Sequence, residues 1–476
     1  MTKTIKNVIC TFCGTLCDDL EVDVSDDGKT ITQVRNACSI GAEKYLHVSK
    51  PGRVVLPRMR QADGTYKSVS YDEAIDYTAK TLLKAKKPLF YGWSSTNCEA
   101  IAAGNLLAEK VGGVVDNCAT VCHGSSLLAI QDTGVPSCTL GEVKNRADRV
   151  IFWGCNPAHA HPRHMSRYSI FPRGFFTAKG QKGRKIICVD CRETDTAKVA
   201  DTFVRIKQSY DYEVFDALRT LLRGEEIPDE VGGVPREKLQ EVIDLCKSGR
   251  FVTLFFGMGL THSLGRNHNI DNGINFIRDL NDYTKATIIA MRGHYNVTGA
   301  GQVLGWQYGY PYACDLSRLT MARHNPGETT SVDLLVRHEV DACFTIAADL
   351  AAHFPFEATR RMAHIPSITL DPHISMSTEL SDLHIPVAIV GVELGGCCYR
   401  MDNVPIETRK CIEPPEGVLD DETIFNRILA RVNEILAEAK CKDAAEYLAK
   451  LESGEIPDPL PNRVDPFKIE GKSLEA

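Results

Sequence analysis

The stretch PREKLQEVIDLCKSGRFVTLFFG, residues 235–257, shows the pattern on which the fold class rests. In its first part apolar residues recur at three- and four-residue spacing, which predicts an amphipathic helix, and the apolar run FVTLFFG that follows predicts a buried strand. The segment 210–224 repeats the helical pattern. Strands of this type alternating with helices predict a doubly wound α/β fold with parallel sheets. The other apolar runs that predict buried strands are residues 88–93, 149–154, 185–190, 286–291, 342–347, 367–371 and 386–392.

Length and composition are those of a globular protein with several cores. The chain has 476 residues, of which 43% are hydrophobic, enough for roughly two to four domains. Its 55 Lys and Arg against 62 Asp and Glu give 55 − 62 = −7, a mild acidity that argues against a nucleic-acid partner. The start lacks the apolar region of a signal peptide, and no run approaches the roughly 18 apolar residues of a membrane span. We therefore expect a cytoplasmic location and no membrane span.

The two ends of the chain differ in composition from the α/β middle. The first sixty residues are rich in Cys and contain one hairpin-like stretch, LEVDVSDDGKTITQVRN, in which DDG supplies the turn. After about residue 410 the chain is rich in Pro and charge, and it continues into a predicted helix and a tail that we expect to dock on a partner. The predicted domains are 1–60, 61–125 together with 300–410, 126–299, and a C-terminal helix and tail over 411–476.

Four cysteines near the start have the spacing of a metal site. Cys10, Cys13 and Cys17 form C-x2-C-x3-C, and Cys38 follows after a gap. Three cysteines on one loop with a distant fourth are typical of a [4Fe–4S] cluster, whereas zinc sites usually pair two knuckles. Zinc and simple packing thiols remain the alternatives to the cluster. A chain without an export signal keeps its thiols reduced, so ligation is a better use of these residues than disulfides.

A second candidate ligand lies in VVDNCATVCHGSS, residues 114–126, where Cys122 and His123 occupy a polar turn after a short apolar stretch. Such a turn suits a metal ligand that points into a cleft, although a buried Cys beside a hydrogen-bonded His is the commoner meaning of an isolated pair. The choice between the two depends on context. That context comes from the motifs VICTFCGTLCDD, DNCATVCHGSS, RVIFWGCNPAHAHP, VDCRETDTAKVAD, GMGLTHSLG and MRGHYNVTGAG.

In order and spacing these motifs resemble the molybdopterin oxidoreductases that carry two pterin guanine dinucleotides, and within them the B subunits of formylmethanofuran dehydrogenases, over essentially the full chain. The resemblance implies two molybdopterin guanine dinucleotides with W or Mo, and one [4Fe–4S] cluster on the four N-terminal cysteines. It places Cys122 as the protein thiolate on the metal, His123 beside it and Arg292 opposite, whereas Cys118 lacks the adjacent His and Gly. Arg292 would orient a carboxylate and stabilise charge on CO2 oxygens, and His123 would tune the site or relay protons.

The resemblance also implies which residues hold the dinucleotides. Glycine turns after parallel strands let phosphates approach backbone N–H groups, although tight glycine turns are common for other reasons. Strand-terminal Asp190 and Asp371 would accept the paired N–H donors of guanine, although such residues also cap helices. Arg192 and Thr194 are secondary candidates in the loop after Asp190. The phosphate candidates are Gly154, Asn156 and His161 in GCNPAHAHP and Gly257 and Gly259 in GMGLTHS.

Two departures from the family pattern stand out. Relatives carry a lysine two residues after the fourth cluster cysteine, where this chain has Ile40, and Lys44 is a candidate replacement. Full-length relatives end in a β-barrel-like pterin-binding domain, and we expect this chain to lack that C-terminal barrel. A small β-rich partner subunit would then supply the missing contacts.

The implied function is reduction of CO2 to formate by the catalytic subunit of a multisubunit complex in methanogenesis. A metal-dependent amidohydrolase-like subunit would condense the formate onto methanofuran, and a polyferredoxin or other iron–sulfur protein would donate electrons. One alternative is an ordinary formate dehydrogenase acting on CO2/formate with the same centre. Another belongs to a different class, a structural electron-relay subunit without the metal cofactor. The joint presence of Cys122, His123 and Arg292 favours an enzyme.

Overall fold

The computed structural model describes residues 3–48, 52–317, 321–460 and 463. Its strands are Lys3–Val8 (β1), Leu20–Val24 (β2), Ile31–Arg35 (β3), Arg58–Arg60 (β4), Tyr66–Ser68 (β5), Pro88–Gly92 (β6), Val114–Asn117 (β7), Arg149–Trp153 (β8), Lys185–Asp190 (β9), Thr202–Arg205 (β10), Glu230–Val231 (β11), Val234–Pro235 (β12), Phe251–Phe256 (β13), Lys285–Ala290 (β14), Cys314–Asp315 (β15), Arg323–His324 (β16), Ala342–Ile346 (β17), Ser367–Leu370 (β18), Leu383–Ile385 (β19), Gly396–Tyr399 (β20) and Pro405–Thr408 (β21).

The helices alternate with the strands through most of the chain, as the sequence predicts. None of those in the described residues is long and apolar enough to cross a membrane. They are Ser39–Leu46 (α1), Tyr71–Lys84 (α2), Cys98–Lys110 (α3), Gly124–Thr133 (α4), Leu140–Arg146 (α5), Pro157–Ala160 (α6), Asp211–Leu222 (α7), Arg236–Lys247 (α8), Met258–Thr261 (α9), Asn267–Leu280 (α10), Val297–Tyr308 (α11), Ser331–Val336 (α12), Leu350–His353 (α13), Phe356–His364 (α14), Met376–Leu380 (α15), Asp421–Glu438 (α16) and Ala444–Glu452 (α17).

Two sheets form the α/β body. The first has nine strands in the order β16-β15-β7-β6-β17-β18-β19-β4-β5, and its five central strands are parallel. The second is fully parallel, in the order β10-β9-β8-β13-β14. In each sheet the direction in which successive strands are added reverses once. The reversal lies between β6 and β17 in the first sheet and between β8 and β13 in the second. Ligands of open α/β sheets bind at the carboxyl ends of such strand pairs, so each sheet offers one crevice.

Two elements differ from the sequence-based expectation. The run PVAIVGV, residues 386–392, is not a strand, because β19 ends at Ile385 and the run continues as an irregular segment beside a cavity. Its apolar character reflects burial in a cavity wall, and Pro386 cannot donate a ladder hydrogen bond. The edge strands of the larger sheet are antiparallel, added by short segments that lack a strong apolar pattern.

The chain ends pack on this body. Strands β1, β2 and β3 form a small antiparallel sheet, with β2 and β3 as the predicted hairpin, and α1 completes a unit that we call the cysteine module, residues 3–48. Helix α16 buries Ile424, Phe425 and Ile428 in the same core as α2 and α3. The predicted docking tail falls largely on residues 461–462 and 464–476, which lie outside the described residues.

Candidate active site

The four cysteines of the cysteine module line one small cavity. Cys10 follows β1, Cys13 and Cys17 lie on the turn before β2, and the sulfur of Cys38 caps α1 by accepting the N–H of Gly41 at 3.3 Å. Burial and then the neighbouring Cys13 raise the pKa of the Cys10 thiol to about 12. Because burial favours the neutral thiol, a bound metal would be needed to hold these sulfurs as thiolates.

The cysteine module makes backbone contact with the loop that carries Arg292. The N–H of Gly14 donates to the carbonyl of Gly293 at 2.8 Å, and Cys13 forms a β-bridge with His294. A side chain on Gly14 would overlap the carbonyl of Arg292, so only glycine allows this approach. The sulfur cavity and the Arg292 loop are therefore immediate neighbours.

Lys44 belongs to the cysteine module and also lines a larger cavity. It is half-buried on α1, donates to the carbonyl of Thr11, and its ammonium lies 4.7 Å from the centre of the Tyr295 ring. Desolvation lowers the pKa of Lys44 to about 8, and the nearby Cys10 opposes the shift. By contrast, Ile40 is 42% exposed. The lysine that contacts the protein interior in this region is thus one helical turn beyond Ile40.

The larger cavity lies at the crevice of the nine-stranded sheet and measures about 1540 Å³, part of it open to solvent. Asp371 follows β18 and lies in its wall, where its carboxylate accepts the N–H of His373 at 2.8 Å. Burial raises the pKa of Asp371 to about 7, and Asp349 adds to the shift. Asp421 lies in the same wall, and burial raises its pKa to about 7 as well.

Asp190 occupies the corresponding position at the end of β9 in the other sheet. Its carboxylate is half-buried and accepts the N–H of Arg192, an exposed residue, at 3.1 Å. Thr194 is buried, and its hydroxyl accepts the N–H of Ala197 at 3.1 Å. The two aspartates thus end parallel strands of two different sheets, which is the arrangement expected of paired guanine pockets, and their contact with guanine stays a prediction.

The two glycine turns pack against each other at the crevice of the five-stranded sheet. The N–H of Gly259 donates to the carbonyl of Gly154 at 2.9 Å, and a Cβ on Gly259 would lie 2.7 Å from that oxygen. A Cβ on Gly257 would lie 2.6 Å from the Cβ of Cys155. Asn156 is engaged within the protein, where its side-chain oxygen accepts the hydroxyl of Thr196 at 2.7 Å. Backbone packing alone therefore requires these glycines, and the phosphate contacts stay predictions.

Cys122 lies on the turn between β7 and α4, with its sulfur near the N–H of Gly293. Burial and then Cys118 raise the pKa of the Cys122 thiol to about 11, whereas Gly293 and Arg292 oppose the shift. The carbonyl of Cys122 accepts the hydroxyl of Thr261, which fixes the turn against α9. Cys118, in contrast, is buried toward the nine-stranded sheet, with its sulfur 3.6 Å from the carbonyl of Gly92. It is Cys122 that meets the Arg292 loop.

Arg292 follows β14 and is 8% exposed. Burial lowers the pKa of its guanidinium to about 10, with Cys122 opposing the shift, so it remains charged at neutral pH. Its Nε has no hydrogen-bond partner among the described residues. The backbone carbonyl of Arg292 accepts Nε2–H of His161 at 2.8 Å, so the predicted phosphate residue His161 instead contacts the Arg292 loop.

Both ring nitrogens of His123 form hydrogen bonds within the protein. Its Nε2 lies 3.1 Å from the carbonyl of Met291 and must donate, so Nδ1, at 2.9 Å, accepts the hydroxyl of Ser126. Burial and then Arg292 lower the pKa of His123 to about 3. The imidazole is therefore neutral at physiological pH and connects α4 to the loop after β14.

Comparisons with known proteins place this arrangement in a family. The molybdopterin oxidoreductase profile matches residues 53–414. The chain is 52% identical over 92% of its length to the B subunit of the tungsten-containing formylmethanofuran dehydrogenase 2 of Methanocaldococcus jannaschii, all of which is covered. This chain is a molybdopterin oxidoreductase, of the same type as the B subunits of formylmethanofuran dehydrogenases. Its fold also resembles solved structures of more distant proteins.

Two such structures bear on the fold alone. Acetylene hydratase from Pelobacter acetylenicus superimposes with a TM-score of 0.69 at 14% identity, over 93% of this chain and 71% of that one. A chain of the formyltransferase/hydrolase complex from Methylorubrum extorquens, solved with methylofuran, superimposes with a TM-score of 0.64 at 16% identity, over 80% of this chain and 99% of that one. The doubly wound α/β architecture of the molybdopterin oxidoreductases is therefore confirmed.

The residues of this molybdopterin oxidoreductase fit a large polar cofactor. Buried polar atoms without a partner among the described residues border both the Arg292 loop and the larger cavity, where a ligand could satisfy them. Sequence reasoning missed Gly293, whose N–H meets Cys122, because a backbone donor carries no side-chain signal. It also missed Asp421, which has the pattern of an ordinary first-turn helix residue. The unpartnered atoms near the Arg292 loop or the larger cavity include Arg292 Nε, His161 Nδ1, His373 Nε2 and Asp421 Oδ1.

Proposed function

We propose that this chain is the catalytic subunit of a tungsten- or molybdenum-dependent formylmethanofuran dehydrogenase that reduces CO2 to formate with low-potential electrons. The observation that carries the proposal is that the half-buried Cys122 thiol lies near both the Gly293 N–H and the buried Arg292 guanidinium. The relative in Methanocaldococcus jannaschii, matched over its whole length, supports the same assignment.

Two molybdopterin guanine dinucleotides would occupy the two crevices, with Asp371 and Asp190 accepting guanine N–H groups and Cys122 ligating the metal. When bound, this group supplies two-electron redox chemistry at the metal. The topology supports the placement, because each crevice lies where the direction of strand addition reverses. Next to each of these points, one of the two aspartates stands at the carboxyl end of a strand. The phosphates would approach the two glycine turns, which follow the carboxyl ends of β8 and β13.

Arg292 would bind the carboxylate of formate and stabilise charge on the CO2 oxygens. Its guanidinium is buried and charged, and it has a donor to spare, so a carboxylate there would be held by charge-assisted hydrogen bonds in a low-dielectric site. Of the two roles expected of His123, tuning the site is the one that we propose. Because both of its nitrogens are engaged and it is neutral, its bonds support holding the Cys122 turn against the Arg292 loop.

The four N-terminal thiols would hold a [4Fe–4S] cluster that feeds electrons to this centre. The four cysteines line one small cavity, and three of them lie on one loop with a distant fourth, which supports a cluster over the zinc alternative. Lys44, half-buried near Cys10 and bordering the larger cavity, would carry out the role of the family's displaced lysine.

The chain would act within a complex in methanogenesis from CO2. We propose a small β-rich subunit over the larger cavity, a metal-dependent amidohydrolase-like subunit that condenses formate onto methanofuran, and a polyferredoxin or other iron–sulfur donor. The open mouth of the larger cavity supports the first of these. The structural likeness to a chain of a formyltransferase/hydrolase complex agrees with the second.

The test is elemental analysis combined with two cysteine variants of the purified complex. We expect W or Mo together with iron, and we expect Cys122→Ala to abolish formate-linked electron transfer while the EPR signal of the cluster persists. Cys118→Ala, the matched control one helical turn away, should have a mild effect because its sulfur faces the nine-stranded sheet. Near-normal activity of Cys122→Ala would contradict the assignment, and iron without W or Mo would favour the electron-relay alternative.

A further inference from the structure

The longest stretch without acidic residues leads to an exposed aromatic surface. Between Asp148 and Asp190 the chain has no Asp or Glu and carries eight Lys and Arg, although the whole chain has a net charge of −7. Three phenylalanines within this stretch are exposed, Phe171 at 43%, Phe175 at 83% and Phe176 at 51%. Exposed phenylalanines grouped in this way mark interaction sites in soluble proteins.

Basic side chains surround these rings and are not neutralised. Arg173, Lys179 and Lys182 are exposed and form no ion pair with any residue in the described part of the chain. Arg146 lies over the Phe176 ring at 4.9 Å, which fixes one aromatic face. We call the surface formed by Phe171, Phe175, Phe176, Arg173, Lys179 and Lys182 the Phe-basic patch. Aromatic anchors with a cationic rim fit a partner whose surface is acidic.

The Phe-basic patch follows, along the chain, the segment that contacts the cysteine module. Arg163 lines the sulfur cavity and binds Asp19 through both terminal nitrogens, at 2.6 and 2.7 Å. Arg167 also donates to Asp19, at 2.7 Å. The short helical segment Met165–Ser169 leads from there to Phe171, whose N–H donates to the carbonyl of Met165 at 3.0 Å. The patch therefore begins within two residues of a helical segment that is fixed to the cysteine module by two arginines.

We infer that the Phe-basic patch is the docking surface for an acidic iron–sulfur protein that delivers electrons to the cysteine module. The inference rests on the proposed function, since it requires a cluster on the four cysteines. One electron passes per encounter, the partner's cluster is oxidised and the chain's cluster is reduced, and no bond or proton changes place. The cationic rim raises the rate of encounter with an acidic partner, and the phenylalanines orient it.

The experiment compares two electron donors on the purified complex, a small acidic [4Fe–4S] ferredoxin and a reduced viologen. The variant is Arg173→Glu/Lys179→Glu/Lys182→Glu, and the control is Arg360→Glu/Lys440→Glu/Lys442→Glu, which changes the charge equally at exposed sites on other elements. With ferredoxin, kcat/KM of the variant should fall at least about tenfold, and its dependence on salt should weaken. With viologen, variant and wild type should have equal rates. Phe175→Ser/Phe176→Ser should likewise raise KM for ferredoxin only.

Equal ferredoxin kinetics in the variant and the control would overturn the docking surface while the proposed function stands. If the wild-type complex instead shows no viologen-linked activity, the proposed function is overturned. Vesicles of phosphatidylserine serve as the membrane probe, because aromatic and basic residues also suit an anionic lipid surface. Flotation of the wild type but not the variant with these vesicles, with unchanged ferredoxin kinetics, would reassign the patch to lipid and overturn the inference.

Discussion

Arg292 combines burial, charge and an unpaired donor. A guanidinium that loses water is normally paired within the protein, as Arg400 is with Asp402 at 2.7 and 2.8 Å. Arg292 lacks such a carboxylate among the described residues, and the nearest negative group is the Cys122 thiolate once it ionises. The protein thus retains a buried cation whose natural counter-ion is a ligand. Formate, or CO2 gaining negative charge, has the charge that such a counter-ion requires.

Replacing Arg292 by Lys keeps the charge but removes the planar fork. We expect turnover with formate to fall on the order of a hundredfold, because a lysine cannot make the bidentate contact with the reacting oxygens. The metal and pterin content should be unchanged, as measured by mass spectrometry on the same sample. Arg184→Lys is the matched control, because Arg184 is buried but donates only to structural acceptors. Loss of pterin in Arg292→Lys would show that Arg292 is a cofactor ligand and that its proposed role is wrong.

At the scale of elements, helix α1 places Lys44 near the electron path that we propose. Lys44→Met should leave the EPR signal of the cluster intact and slow formate-linked reduction by roughly tenfold, since an apolar side chain cannot stabilise charge between Cys10 and the larger cavity. Lys44→Arg, which keeps the charge, should retain more of the rate. Rapid-mixing kinetics with a viologen donor provide the measurement. Loss of the cluster in Lys44→Met would indicate a structural role instead.

Most elements were predictable because their periodicity is strong. The helix before Phe251 and the strand that begins there have the predicted bounds to within a residue or two. The run 386–392 was not predictable in this way, since a cavity wall and a sheet interior both require apolar residues. Antiparallel edge strands escaped prediction because β15 and β16 are two residues long and are defined by their pairing partners.

At the scale of the molecule, sequence order predicted Cys122, Arg292, Asp190 and Asp371 as site residues, but not which groups surround them. The resemblance identified those residues as candidates because their side chains stand at fixed places in the motifs. The Gly293 N–H that meets Cys122 and the bond from His161 to the Arg292 carbonyl join segments that are distant in sequence, so only the folded chain reveals them. The same holds for His123, whose neutrality follows from burial and two hydrogen bonds that no motif encodes.

Exposed apolar side chains lie on the two chain segments that flank the larger cavity at Gly52 and Ile374. Val55, Leu56, Ile374 and Met376 are each exposed by two-fifths or more, and the bridge between Arg53 and His373 holds the two segments together. A lone chain would leave two anionic dinucleotides and a reactive metal accessible to water at the mouth of this cavity. A partner that covers the apolar rim would both bury it and retain the cofactor.

We therefore expect the chain expressed with its complex partners to keep more pterin after gel filtration than the chain expressed alone. In the complex, Met376→Glu should lower pterin retention, because a charge on the rim opposes burial against the small subunit. Leu106→Glu, at a similarly exposed apolar residue on α3, is the control and should have no effect. Hydrogen exchange should slow near Ile374 when the partners are present. A lone chain that retains both dinucleotides and full formate activity would show that the chain needs no covering subunit.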